Sequence, residues 1–117
     1  MTKKVVEVNV TETFENTVDS AISYMSQWSS EVMIIDKVNN LIDNFLNNVH
    51  ENPFMSRVSP ELIELGIADI REFNRDGFRI LYEAVEKEDR VIINILLLLR
   101  QKQNIQNQLV EYCITYK

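Results

Sequence analysis

The sequence predicts a single α+β domain in which a two-helix hairpin packs on a mostly antiparallel sheet, in the order β-α-α-β-β-β-α. Three observations carry this expectation: alternating valines near the start, two apolar stripes at helical spacing through residues 11–52, and an Asp-Gly hairpin leading into a nearly continuous apolar run. At 117 residues and 45% hydrophobic composition, the chain holds enough apolar side chain for one core and is too short for two ordinary domains. With only two glycines and two prolines it contains no low-complexity stretch, so the domain is expected to span residues 1–117.

Residues 4–10 alternate with Val6, Val8 and Val10 on one side, as a half-buried strand does. Thr11 is placed to cap a helix whose first turn carries Glu12 and Glu15, favourable to the helix dipole. Phe14, Val18, Ala21, Ile22, Met25 and Trp28 then form one stripe, so Trp28 and the methionines at helical spacing are expected in the core. Ser29 and Ser30 offer a break and a second cap. A stronger stripe follows, built on Ile34, Ile35, Val38, Leu41, Ile42, Phe45, Leu46 and Val49, with Asp36, Lys37, Asn40, Asp43, Asn44 and Asn47 on the opposite face; Asn52-Pro53 ends it. So short a connection makes the two helices antiparallel neighbours.

Ser59-Pro60 reads as a cap with proline at the first helical position, and Gly66 as the stop. Residues 67–74 read as a strand, Asn74-Arg75-Asp76-Gly77 as a hairpin turn, and residues 78–85 as the returning strand. After a polar turn, residues 90–99 are apolar on both faces, the pattern of a central, covered strand. Residues 104–116 form a closing helix in this reading, with Ile105, Leu109, Tyr112, Cys113 and Tyr116 on one side.

Composition excludes several function classes. The lone cysteine, Cys113, cannot form an intramolecular disulfide, and the start Met1-Thr2-Lys3-Lys4 lacks a signal-peptide pattern; with no apolar run long enough for a membrane helix, a soluble, cytoplasmic protein is expected. The net charge of −6, concentrated before Arg57, disfavours free nucleic acid as the main ligand, because phosphate neutralisation supplies most of that affinity. There is no Gly-rich phosphate loop, no Cys or His pair at metal spacing and no nucleophile elbow, so no catalytic residue, metal or cofactor is assigned. His50 reads as a helix-end residue and Cys113 as a small core side chain.

The arginines are more informative. In the segment REFNRDGFRILYE they recur along two adjacent strands, so Arg71 and Arg79 are candidates to project from one sheet face, with Arg100 at the end of the next strand. Converging guanidinium groups bind phosphate or carboxylate in bidentate fashion; the plainer alternative is pairing with Asp69, Glu72 and Glu83 across the sheet.

That segment resembles the RelE/ParE family of type II toxins, whose hallmark of glycine, aromatic, arginine, two aliphatics and tyrosine is matched by Gly77-Phe78-Arg79-Ile80-Leu81-Tyr82. The element order of most of the chain follows the same family. The resemblance implies a growth-inhibiting toxin neutralised by a co-expressed antitoxin, with operator DNA bound only indirectly, through the antitoxin. Two activities occur in the family: ribosome-dependent mRNA cleavage in RelE-like members and poisoning of DNA gyrase in ParE-like ones. The lysines of the RelE-like pattern are replaced here by Ile70 and Glu72; Arg79 matches the phosphate-binding arginine, Arg100 or Gln101 falls where a second would be, and the place of the C-terminal tyrosine falls near Asn107. A glutamate in an RNA site repels phosphate, so the ParE-like branch is favoured, with gyrase as target, no covalent chemistry and no membrane partner. Arg71, Arg79, Tyr82 and Arg100 are the expected target or antitoxin contacts. The alternatives are the RelE-like endonuclease and an inactive interaction module, the latter motivated by acidity, since such toxins are usually basic and their antitoxins acidic.

Overall fold

A computed structural model describes residues 4–100 of the chain. It begins with strand β1 (Val5–Val10), in which Val6 and Val8 are half-buried as expected while Val10 is exposed, and turns at Thr11 into helix α1 (Glu12–Met25). The Thr11 hydroxyl accepts from the Phe14 N–H at 3.1 Å and donates to the Ile95 carbonyl at 2.7 Å, so one side chain both caps the helix and ties it to the sheet. Helix α2 (Glu31–Glu51) starts at the Ser30 cap and stops at Asn52, where Pro53 follows. Helix α3 (Pro60–Glu64) is a short turn closed by Gly66 at φ +85°.

Three strands complete the sheet: β2 (Ile70–Arg75), β3 (Phe78–Glu86) and β4 (Arg90–Arg100). Their order with β1 is β1-β4-β3-β2; β1 runs parallel to β4 and the other pairs are antiparallel, so β4 is central, as its apolar run predicted. The β2–β3 turn is Asp76-Gly77, both at positive φ (53° and 82°), the mirror-image turn that matches the twist of a two-residue hairpin. Strand β2 starts at Ile70, not at Ile67 as the pattern implied. The Ile67 N–H is spent on the Leu62 carbonyl (2.8 Å), sealing the C-terminus of α3 before the chain can extend. Segment 57–59 then pairs with the outer edge of β2, through Glu72 N–H to Arg57 O at 3.0 Å and Ser59 N–H to Ile70 O at 2.9 Å, covering that edge.

The sheet buries both faces unequally. Phe14 and Ala21 of α1 and Ile34, Val38, Leu41 and Phe45 of α2 pack on Ile80, Tyr82, Ile93 and Ile95; Leu41, Phe45, Ile80 and Tyr82 are wholly buried. Leu62 of α3 covers a smaller cluster of Ile70, Leu81, Leu97 and Leu99 on the other face. Strand β4 serves both clusters by changing parity. Ile93 and Ile95 face the helices, then a bulge pairs Leu81 with Leu97 and Tyr82 with Ile95, and beyond it Leu98 faces the helices. Where β1 ends, α1 takes over the edge of β4: the buried Thr17 hydroxyl donates to Phe14 O (2.7 Å) and accepts from Leu98 N–H (2.9 Å).

Trp28 departs from expectation. Helix α1 ends at Met25, so Trp28 lies in the following turn, out of phase with the stripe, and is 67% exposed; Met33 is also exposed, whereas Met25 packs against the core. The expected closing helix and Cys113 lie outside the described residues.

Candidate functional site

Strand parity separates the arginines that the sequence placed together. In the β2–β3 register, Arg71 lies opposite Tyr82 and Asn74 opposite Arg79, which sends Arg71 and Tyr82 to the helical face and Arg79 to the other. The expectation of two guanidinium groups converging on one sheet face is therefore not met: Arg71 and Arg79 stand an even distance apart in sequence, but the turn between them places one on each side.

Arg79 is buried, with its side chain 8% exposed. Its Nε and Nη2 fork onto Glu72 at 2.9 and 3.0 Å, and Nη2 also bonds the Glu61 carboxylate contributed by α3. The Glu72 side chain is itself only 4% exposed. Burial alone would raise the Glu72 carboxyl; hydrogen bonding and charge from Arg79 outweigh it and hold the group below the ordinary carboxylate value. In the same way burial would lower Arg79, and its bonds to Glu72 and Glu61 raise it. The cross-sheet pairing reading of the sequence thus holds at Arg79 and Glu72. Glu61 was not legible as a partner, because the loop that brings α3 over the sheet has no local spacing signal. The polar hollow beside this cluster, about 450 Å³, is lined by Glu61, Glu72, Asn74, Asp76 and both Arg75 and Arg79. With its inner arginine already held by two carboxylates, it is poorly suited to a phosphate.

Across the sheet, Arg71 donates to the Phe54 and Ser56 carbonyls (3.2 and 2.6 Å), with its guanidinium 5.2 Å from the Phe54 ring centre. The Tyr82 hydroxyl donates to Pro53 O at 3.1 Å, and burial raises its phenol above the ordinary value. Together these two side chains tie the loop after α2 to the sheet. Arg100 occupies a third place, at the end of β4, where it stacks 3.8 Å from the Tyr24 ring centre; Tyr24 in turn contacts Trp28 at 4.9 Å between ring centres. The bulge puts it there, because Arg100 pairs with Phe78 on the helical face. Among the described residues, no group of three or more His, Cys, Asp or Glu side chains is placed to hold a metal ion, and no helix is long and apolar enough to cross a membrane.

A second feature lies between α1, α2 and β1: an apolar cleft of about 510 Å³. Val8, Val10 and Ile95 form its floor, and His50 and Asp19 stand at its margins.

With this geometry in hand, the sequence matches the ParE toxins of type II toxin–antitoxin (parDE) systems over residues 8–105, from within β1 to beyond the end of β4. The chain belongs to the ParE toxin family. No curated relative matches it. Membership makes it a toxin of a type II toxin–antitoxin system and implies an antitoxin partner. The departure from the RelE-like pattern also has a structural counterpart in this ParE-family chain. Ile70, at one of the two lysine positions of that pattern, belongs to the small apolar cluster, and Glu72, at the other, is the buried partner of Arg79.

Proposed function

We propose that this ParE-family toxin arrests growth by binding DNA gyrase and holding it at a cleaved or non-productive step, in the cytoplasm and without covalent chemistry of its own. The observation that carries the reading is the sequestration of Arg79. A ribonuclease that cleaves through the ribose 2′-hydroxyl needs a base, an acid and an available cation for the phosphate. Here the matching arginine is buried between Glu72 and Glu61, so an incoming phosphate meets carboxylates. Of the four candidate residues, the half-buried Arg71 and Arg100 offer atoms to a partner, while Arg79 and Tyr82 shape the surface from beneath. Operator DNA is reached only through the antitoxin.

The test is to induce the chain alone in a bacterium and follow labelled thymidine and leucine incorporation over the first minutes, with a parallel supercoiling assay on purified gyrase. Thymidine falling first, with supercoiling blocked and cleaved DNA accumulating, is the expected result. Leucine falling first with gyrase unaffected returns the endonuclease reading, and unimpaired growth returns the inactive interaction module.

A further inference from the structure

The two outer edges of the sheet differ. Segment 57–59 covers β2, whereas β1 has β4 on one side and, among the described residues, no strand on the other. Edge strands are commonly guarded by proline, lysine or a bulge. Strand β1 has none of these: it pairs with β4 without a break from Val5 to Val10, and those two valines are 70% and 54% exposed. Lys4, just before the strand, is turned back onto the Glu86 carboxylate and the Lys87 carbonyl at 3.0 and 2.6 Å. Backbone polarity along β1 alternates. The Thr11 N–H donates to Ile95 O at 3.3 Å while Val10 lies opposite Ile95, so the backbone groups of Val5, Glu7 and Asn9 serve β4. Those of Val6, Val8 and Val10 point to the outer edge.

A strand with this pattern complements itself. In a two-fold antiparallel pair the outward-facing residues must oppose one another, which puts a residue of β1 on the axis. Val6 or Asn9 on the axis lets only half of each strand overlap. Glu7 on the axis gives a longer overlap but sets its carboxylate directly against Glu7 of the partner copy, a destabilising like-charge pair. Val8 on the axis has the same long overlap without that repulsion. Val8 then exchanges both backbone hydrogen bonds with its counterpart, Val6 lies opposite Val10, and the Glu7 carboxylate faces the Asn9 amide, which can donate to it. We propose that the chain associates with a second copy of itself by antiparallel pairing of β1 about Val8, joining two four-stranded sheets into one. The two-fold places both helical hairpins on the same face and brings the Val8 and Val10 floors of the two apolar clefts side by side. Each hairpin, residues 11–52, holds one lysine against seven carboxylates, and Glu15 and Asp19 border the cleft. The copies therefore repel at long range, and salt strengthens their association by screening that repulsion. A strand pair of this length buries less than the roughly 1,200 Å² of a standard stable interface, which sets the dissociation constant on the order of 10–100 μM.

The test is analytical ultracentrifugation of the full chain from about 5 to about 500 μM, at about 0.05 and about 0.3 M salt. A monomer–dimer equilibrium that tightens with salt is the expected result. Asn9→Glu sets like charges opposite each other at two symmetric places and is expected to weaken the dimer about tenfold or more. Asn9→Lys faces Glu7 of the partner copy and is expected to tighten it about threefold or more. Both changes fall on an exposed side chain of the sheet, and circular dichroism checks that each variant folds. The register is read by mixing a Glu7→Cys chain with an Asn9→Cys chain, both carrying Cys113→Ser. Opposed residues of this type lie about 4.5 Å apart at Cα, within disulfide range, so mild oxidation should link the mixture and leave each variant alone largely unlinked. A chain that stays monomeric throughout overturns the proposal, as does a dimer that ignores both Asn9 variants and gives no mixed crosslink. Linking of Glu7→Cys to itself, with a tighter dimer for Glu7→Gln, puts Glu7 on the axis and overturns the register. None of these readouts depends on the gyrase assay.

Discussion

Glu72→Gln keeps the shape of the side chain and removes the charge that holds Arg79. The guanidinium then remains buried with Glu61 as its only carboxylate among the partners described, and the Glu61 side chain is 43% exposed. Breaking a buried ion pair from one side costs about 3–5 kcal/mol, and the surviving partner argues for the lower end, about 3 kcal/mol. That is a large share of the roughly 5–15 kcal/mol by which a domain of this kind is stable. With a urea dependence of about 1.5 kcal/mol per molar, the unfolding midpoint should fall by about 2 M. The double replacement Glu72→Leu with Arg79→Met removes both charges next to Leu81 and Leu62. It should return to within about 1 kcal/mol of wild type, because no buried charge is left unpaired. Urea unfolding of the three proteins is the assay. A loss under about 1 kcal/mol for Glu72→Gln would refute the claim that this pair is buried and mutually dependent. The double variant also separates structure from contact. If it folds with wild-type stability and remains toxic, Arg79 only holds the sheet; if it folds and toxicity is gone, the guanidinium meets the target and the ribonuclease reading regains ground.

Three further outcomes follow from the same geometry. Phe45 is wholly buried and meets the edges of Phe73 and Tyr82 at 5.4 and 5.1 Å, so Phe45→Ala should cost about 3–5 kcal/mol in urea unfolding. The Glu72 carboxyl titrates below its ordinary 4.5 in the folded chain, so its contribution to stability is fully present above that value and is lost as pH falls through the lower folded value. Acid titration of stability should therefore be steeper below about pH 4.5 in wild type than in Glu72→Gln, and parallel curves would contradict the shift. Trp28 is the only tryptophan and is exposed, so the free chain should show red-shifted emission readily quenched by acrylamide. A blue-shifted, protected signal would mean that the turn after α1 is covered.

Local chemistry was sufficient to read most of the elements. Thr11 and Ser30 are caps because their hydroxyls accept from backbone N–H groups three residues on, and Asp76-Gly77 is a turn because both residues tolerate positive φ. The stripe from Ile34 to Val49 faces the core because 3.6 residues complete a helical turn whatever the helix packs against. The same residue-level reading identified the family through the segment from Gly77 to Tyr82.

Relations across strands were decided elsewhere. Which face a strand residue takes depends on where its partner's register begins, and an extra residue in the pairing moves every later side chain to the other side. The run from Ile95 to Leu99 is apolar throughout and carries no mark of its bulge, so the placement of Arg100 against Tyr24 was invisible in it. The partition of Arg71 from Arg79 likewise follows from pairing across the hairpin, and Glu61 reaches Arg79 only because α3 folds over the sheet. The charge of the helical hairpin can be counted along the chain. That two of its carboxylates border an apolar cleft is a property of three elements brought together by packing.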